Sequence, residues 1–575
     1  MSGKTLDHSG VVKARKMELE YVDKRPVYEE VPTEECLRAT GKMPVDTKWV
    51  DIDKGGPGAH FYRSRWVAKD FRTTTTDEYF SATPPYEAVK LMLSLAASQR
   101  RKGARTHRAG PQERKRHQNL KKLRDLLGVA GRDLDEERRW CEAGPQDPVL
   151  KLELRDVSRA HFNGRPLKPT YVQLPPERRK PGVCGRLVSN MYGMRGAAAA
   201  WEVDYADNMQ KWGFSRGMAS TCVFMHTVRR MMVIVHGDDF LCLGSEVDLD
   251  WFGAQMSEVY ENKSVGRIGP ERADKKTLKV LNRLVTWRDD AIELEADQRH
   301  ADIVVNMMGL AEGKGLTTPG VKMEEAAGDD EVLEGHEATR FRAIAARINF
   351  LSLDRPELLY SAKEVCRSMA TPTQGSMRKL KRLCRYLAKR PRVVQRFVHQ
   401  ELPHSFRVYC DSDWAACRKT RRSTSGGCVM LGKHTLRSWS STQSIVALSS
   451  GEAEYYAMLK GASVGAGLQA MADEVGIFAE IALYTDSKAA SGITHRRGLG
   501  KTRHIQVAHL WLQEKVHRQE LVIRRVAGVH NPADLMTKYL PEATMLKHMQ
   551  TLDHEMRQDR HPEMLKVNTG PDGNP

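Results

Sequence analysis

SFRVYCDSDWA (residues 405–415) alternates apolar and polar side chains, as a half-buried strand does, and delivers Asp411 at its middle. Downstream, GGCVMLGKHTLRSW (426–439) reads as two further strands around a Gly-Lys-His turn. GEAEYYAMLKGASVGAGLQAMADEVG (451–476) is a long helix with Glu452 in its first turn, and IALYTDSKAA (481–490) is a short buried strand ending at Asp486. RHIQVAHLWLQEKVHR (503–518) is amphipathic, LVIRRVAG (521–528) is a strand, and NPADLMTKYL (531–540) opens a final helix with Asp534 in its first turn. Hairpin-linked strands followed by helix-connected strands predict a mixed sheet with flanking helices over 405–542. Asp411, Glu452, Asp486 and Asp534 then fall at strand ends and helix starts, where they can converge on one edge of the sheet. A single acid at a helix start is explained by the helix dipole alone. Four in this order suit phosphodiester hydrolysis by two metal ions ~4 Å apart, which needs hard oxygen ligands.

A second acidic cluster is expected upstream. In VRRMMVIVHGDDFLCLG (228–244) two apolar runs flank Gly237-Asp238-Asp239, a hairpin with two acids at its tip. LKLELRDVSRAHFNG (150–164) reads as a strand running into a turn, with Asp156 at its exit. Asp is a favoured turn residue, so the hairpin alone says little. Paired with Asp156 it gains chemical sense, because nucleotidyl transfer needs carboxylates bridging two metal ions.

The composition agrees. A net charge of +18 and a pI near 9.4 suit a polyanionic partner, nucleic acid first among them. Binding should then weaken steeply with salt. The N-terminus has no apolar core, no apolar run approaches the ~20 residues that span a bilayer, and the cysteines lack zinc or redox spacing. An intracellular protein with buried free thiols and no membrane partner is expected.

We expect an α/β and α+β multidomain chain. Residues 1–25 and 543–575 read as polar tails. Residues 26–98 form a small α/β unit with a strand near Tyr62–Lys69 and an amphipathic helix, YEAVKLMLSLAAS (86–98). Residues 149–320 are α/β, 321–404 helical, and 405–542 the mixed sheet. Residues 99–148 contain RRKGARTHRAGPQERKRHQNLKKLR, a basic run with little to bury, and read as a disordered insertion. The explanation we favour is non-coding sequence read through in frame, such as an unremoved intron.

The words YCDSDWA, RRSTSGG, ALSSGEAEYYA, YTDSKAA, TRHIQVAHLWLQEKV and NPADLMTKYL resemble, in order, those of Copia-type retrotransposon ribonuclease H domains. YRSRWVAKDF, DVSRAHFNG, NMYGMRGAAAAW and VHGDDFLCLG resemble the Copia reverse transcriptase, and TTPG, RFRAIAARINFLSLDRPELLYSA and MRKLKRLCRYL its link to the nuclease. The resemblance covers residues 26–98 and 149–542. It implies a right-hand polymerase with fingers (26–98), palm (149–320) and helical thumb or connection (321–404), followed by ribonuclease H. Asp156, Asp238 and Asp239 would be metal ligands of the polymerase. Asp411, Glu452, Asp486 and Asp534 would be those of the nuclease, with Asp413 and Glu454 as neighbours rather than ligands. His530 matches a mobile-loop histidine linked to product release. Arg63, Arg65 and Lys69 are candidates for the incoming triphosphate.

Three departures bear on polymerase strength and sugar choice. His236-Gly237 replaces Tyr-Val, His161 stands at the aromatic ribose gate, and Gly196 replaces a nucleotide-contacting Gln. Two Mg2+ ions per site, with Mn2+ as substitute, are the implied cofactors. RNA template, DNA primer, RNA–DNA hybrid and deoxynucleoside triphosphates are the implied partners. The absence of protease and integrase signatures suggests a fragment or truncated copy. The rival reading is an inactive remnant that only binds nucleic acid. The oligomeric state is left open.

Overall fold

The computed structural model describes residues 6–55, 60–71, 79–98, 149–324, 326–500, 504–505 and 507–564. The expected insertion at 99–148 lies outside the described residues. Two compact units divide the chain, one from 1–84, 154–242 and 247–265, the other from 85–153, 243–246 and 266–575.

The first unit is centred on a six-stranded sheet in the order Asn262–Ile268, Lys151–Val157, Asp239–Gly244, Met231–His236, Val223–His226, Ser215–Arg216. Helices Ala197–Lys211 and Glu246–Val259 contribute Trp201, Tyr205, Met209, Phe252 and Met256 to the apolar core behind it. Trp201 meets Tyr205 and Tyr260 edge-on, with ring centroids 5.3 and 5.1 Å apart. Each such pair contributes about 1 kcal/mol beyond its buried area. A hairpin of Thr47–Asp53 and Tyr62–Ala68, and a small sheet of Tyr28–Pro32, Val183–Leu187 and Tyr171–Val172, complete this unit.

Residues 1–25 are not simply a polar tail. His8–Lys24 is a helix whose buried Val11, Ala14, Glu18 and Val22 form one narrow stripe. Arg15 pairs with Asp51 at 2.6 Å and Glu18 with Arg159 at 3.0 Å. The abundant surface charge hid a stripe only one residue wide per turn.

The second unit holds two five-stranded sheets. One is wholly antiparallel, in the order Thr277–Val280, Arg283–Trp287, Ala291–Ala296, Arg392–Val398, His554–Arg557. It draws on segments we expected in three places: palm, thumb and C-terminal tail. Ion pairs link its strands across long stretches of sequence. Arg392 grips Glu295 through two 2.8 Å bonds, and the supposed tail residue Arg557 pairs with Glu293. Helices Gly335–Leu351, Leu359–Cys366 and Gln374–Lys389 occupy the expected helical stretch.

Helix Tyr86–Ala97 also belongs to this unit rather than to residues 26–84. It is not amphipathic in place: Ala88 through Ala97 are all buried. Its Ser94 meets His434 Nδ1 at 2.8 Å. His434 Nε2 lies 2.7 Å from Val398 O, and Gln400 Nε2 donates to Nδ1 at 2.9 Å. In this neutral tautomer Nδ1 accepts from Gln400, whose amide nitrogen cannot accept a second ring proton. Burial, with His399 and Lys433 adding repulsion, lowers the His434 pKa from 6.5 to about 4. The folded state therefore disfavours protonation, so its stabilisation is complete above pH 6.5 and is lost as pH falls toward 4, by at most about 3 kcal/mol. Urea melts of the parent and His434→Phe should differ in slope across that window. Parallel curves would remove this account.

The other sheet is mixed. Ser405–Asp413 lies between antiparallel Thr424–Leu431 and parallel Glu480–Thr485, with His434–Thr442 and Leu521–Arg525 at the edges. Gly432, at φ +61°, begins the two-residue turn of the hairpin Thr424–Leu431/His434–Thr442. Ser405–Asp413 reads as half-buried but is covered on both faces from Val408 to Ser412. The expected final helix at Asp534 is a short 3-10 helix, Pro532–Met536, and the next α-helix begins only after Pro541, at Glu542–Thr551. Seven of the nine described cysteines are buried. Among the described residues, no helix is long and apolar enough to cross a membrane.

Candidate metal centres

Asp156 sits near the end of Lys151–Val157, beside the hairpin Met231–His236/Asp239–Gly244. Gly237 has φ +64°, a left-handed conformation that suits glycine at the tight turn. Two bonds clamp that turn: Trp201 Nε1 donates to Gly237 O at 2.8 Å, and Val157 N to Asp238 O at 3.0 Å. The aromatic core thereby fixes the acids. Asp156, Asp238 and Asp239 each offer a carboxylate oxygen within 4.8 Å of the others. Burial, then repulsion from Asp238 and Asp156, pushes the Asp239 pKa up to about 6. Lys263 is the nearest counter-charge to Asp156, at 3.4 Å.

The basic candidates divide. Lys69 is held by Asp46 at 2.6 Å. Arg65 lies over the Tyr192 ring, 4.7 Å from its centroid, and its buried Nε has no partner among the described residues. His161 meets the same ring edge-on at 5.5 Å, and its buried Nδ1 is also unpartnered. Burial lowers the His161 pKa, while Asp238 acts to raise it. Lys54 was missed. Burial lowers its pKa first, then Arg63 and Arg65, against the pull of Asp156 and Asp238. It thus faces both the arginines and the acids. Its position one residue beyond Thr47–Asp53, the strand paired with Tyr62–Ala68, was the available signal.

In the second unit Asp411 pairs with Gly426 across the central strand, and Asp486 follows the parallel strand Glu480–Thr485. Helix Ser450–Glu474 brings the third acid. Gly461 and Gly465 let this helix lie close to the sheet: a Cβ at 461 would sit 2.3 Å from Cys410 Sγ, and one at 465 would sit 3.1 Å from Val408 Cγ2. Residue 454 is two turns before 461 and shares that face, whereas 452 is about 180° away. Glu454 therefore reaches the sheet. Its Oε1 accepts from Ser412 N at 3.1 Å and Ser412 Oγ at 3.0 Å, and carboxylate oxygens of Asp411, Glu454 and Asp486 lie within 4.8 Å of one another.

The structure thus brings Glu454, rather than the expected Glu452 and Asp534, beside Asp411 and Asp486. Glu452 points elsewhere, accepting from Leu448 N at 3.0 Å and Tyr456 Oη at 2.9 Å and meeting His504 Nε2 at 2.9 Å. Asp534 is not part of the trio and bonds Lys538 at 2.8 Å. His530 is exposed, in the single turn Gly528–His530. A Cβ at Gly528 would stand 3.1 Å from Asp486 Oδ2, so this turn lies against the trio. Asp413 accepts from Thr424 N.

The donor set fits a hard divalent cation. All three groups are carboxylates, and Glu454 Oε2 is buried without a partner. Burial, then repulsion within the cluster, raises Glu454 above the usual carboxylate range. Burial raises Asp411 as well, against the pull of Lys538.

No protein-family profile matches the chain. It is 25% identical over 433 residues to the retrovirus-related Pol polyprotein from transposon RE1 of Arabidopsis thaliana, covering 73% of this chain and 27% of that protein. To the retrovirus-related Pol polyprotein from transposon TNT 1-94 of Nicotiana tabacum it is 22% identical over 556 residues, covering 92% and 37%. An uncharacterized mitochondrial protein of Arabidopsis thaliana, AtMg00810, is 29% identical over 231 residues, covering 40% of this chain and 90% of its own. Among solved structures, a foamy viral protease-reverse transcriptase in complex with RNA/DNA hybrid matches at 9% identity and a TM-score of 0.43, covering 98% of this chain and 57% of that one. The chain thus spans 27% and 37% of the two Pol polyproteins.

Proposed function

The chain's homologues are retrovirus-related Pol polyproteins of Copia-type transposons, and from that premise we propose an RNA-directed DNA polymerase joined to a ribonuclease H. The observation that carries the proposal is the pair of carboxylate trios, one at a hairpin turn and one in the mixed sheet, in different units. The first unit, which holds most of the segments expected as fingers and palm, is the polymerase. The mixed sheet is the nuclease. RNA template, DNA primer, deoxynucleoside triphosphates and RNA–DNA hybrid are the proposed partners, in keeping with a net charge of +18.

Asp156, Asp238 and Asp239 would hold Mg2+ in the polymerase, and Asp411, Glu454 and Asp486 in the nuclease. Bound divalent ions supply Lewis acidity and neutralise charge on the reacting phosphate oxygens. The protein's own groups do the rest. Lys54, flanked by Arg63 and Arg65, gives the polymerase acids a cationic neighbour for the triphosphate. His161 and Tyr192 form a half-buried wall where a sugar gate belongs. In the nuclease, Ser412 fixes Glu454 through two donors, and Thr537 Oγ1 donates to Asp411 Oδ2, so both carboxylates are oriented before substrate arrives.

The purified chain should cut the labelled RNA strand of an RNA–DNA hybrid, and extend a DNA primer on RNA, only when Mg2+ is added. A hybrid that is bound but left whole in Mg2+ would leave only the inactive remnant.

A further inference from the structure

The nuclease trio accounts for Asp411, Glu454 and Asp486 but leaves Asp534 beside it with a different companion. Lys538 N donates to Asp534 O at 3.1 Å, which closes one more turn after Pro532–Met536. That turn brings the Lys538 ammonium to 2.8 Å from Asp534 Oδ1, 3.2 Å from Asp411 Oδ2 and 3.4 Å from Asp411 Oδ1. Thr537, the preceding residue, already donates to Asp411 Oδ2. Asp411 is 2% exposed, so its charge is compensated from within the protein. Within the same cluster Glu454 Oε2, in a side chain nine-tenths buried, has no partner among the described residues.

We propose that Lys538 is a built-in cation filling the position between Asp411 and Asp534, so that the resting nuclease takes one divalent ion at Asp411, Glu454 and Asp486 and a second only by displacing the lysine. The proposal rests on reading that trio as a metal site. A tethered ammonium competes at high effective concentration. Its two charge-assisted contacts must be broken before a second ion enters. A divalent ion has twice the charge, but Mg2+ gives up its water reluctantly, which weakens its side of the exchange. The exchange is physically open, because the Lys538 side chain is 43% exposed and its flexible stem can carry the ammonium into solvent.

The test counts Mn2+ ions bound to the metal-free full chain, from the electron paramagnetic resonance signal of free Mn2+. Lys538→Met and Lys538→Gln should each bind one more Mn2+ than the parent at a concentration that saturates the parent's tight sites. Affinity at the added site should rise about tenfold or more, the size of effect that groups around metal ligands usually have. Lys538→Arg, which keeps the charge, should bind the parental number. Thermal melts identify a variant that has lost its fold, and either neutral variant suffices. If Lys538→Met and Lys538→Gln bind as the parent does while Glu454→Gln loses one ion, the lysine proposal is overturned and the metal-site reading stands. If Glu454→Gln also binds the parental number, the metal-site reading falls and the proposal with it.

Discussion

Glu454→Gln is expected to lower cleavage of the RNA strand in a hybrid by at least about 100-fold, the upper end of what loss of an outer-shell group costs. Glu452→Gln should stay within a few-fold of the parent. The two residues are neighbours in one helical turn and chemically identical, so the contrast isolates position. Glu454 shares the face of Gly461 and Gly465, whose missing side chains bring the helix onto the strand that bears Asp411. Glu452 lies on the opposite face and binds Leu448 N, Tyr456 and His504. Its replacement should appear instead as a loss of about 1–2 kcal/mol of stability, because buried bonds to a charged acceptor are weakened. Cleavage rates and thermal melts on both variants decide the matter. An inactive Glu452→Gln beside an active Glu454→Gln would return the ligand role to Glu452.

Asp238→Asn should lower primer extension on an RNA template by on the order of 100-fold or more, while cleavage of a supplied hybrid stays at the parental rate. Asp238 stands at the hairpin turn with Asp156 and Asp239, all in the first unit, whereas Asp411, Glu454 and Asp486 belong to the second. Removing one negative charge from the first trio also relieves Asp239, whose pKa is raised partly by Asp238. Extension should therefore not recover at higher pH, since the missing ligand, not a trapped proton, limits the site. Equal loss of both activities with an unchanged melt would show that the two reactions are not divided between the two trios.

Sequence alone determined several strands and turns and where Asp411, Asp486, Asp238 and Asp239 fall on them. The alternation through SFRVYCDSDWA, the apolar runs around Gly237-Asp238-Asp239 and the strand ending at Asp486 are local patterns, and the backbone follows them. Apolar runs and alternation, and glycine at a turn, are written into neighbouring residues. Tertiary structure alone decided the matters that depend on a partner remote in the chain. His8–Lys24 is a helix on a stripe too narrow to stand out among its charges. Thr277–Val280 through Ala291–Ala296 share a sheet with Arg392–Val398 and His554–Arg557, whose register is bound by Arg392–Glu295 and Arg557–Glu293. Pairs so far apart in sequence leave no periodicity to read. The choice between Glu452 and Glu454 has the same origin. Both fit a helix start equally well, and only the sheet against which Gly461 and Gly465 pack selects the face that meets Asp411 and Asp486.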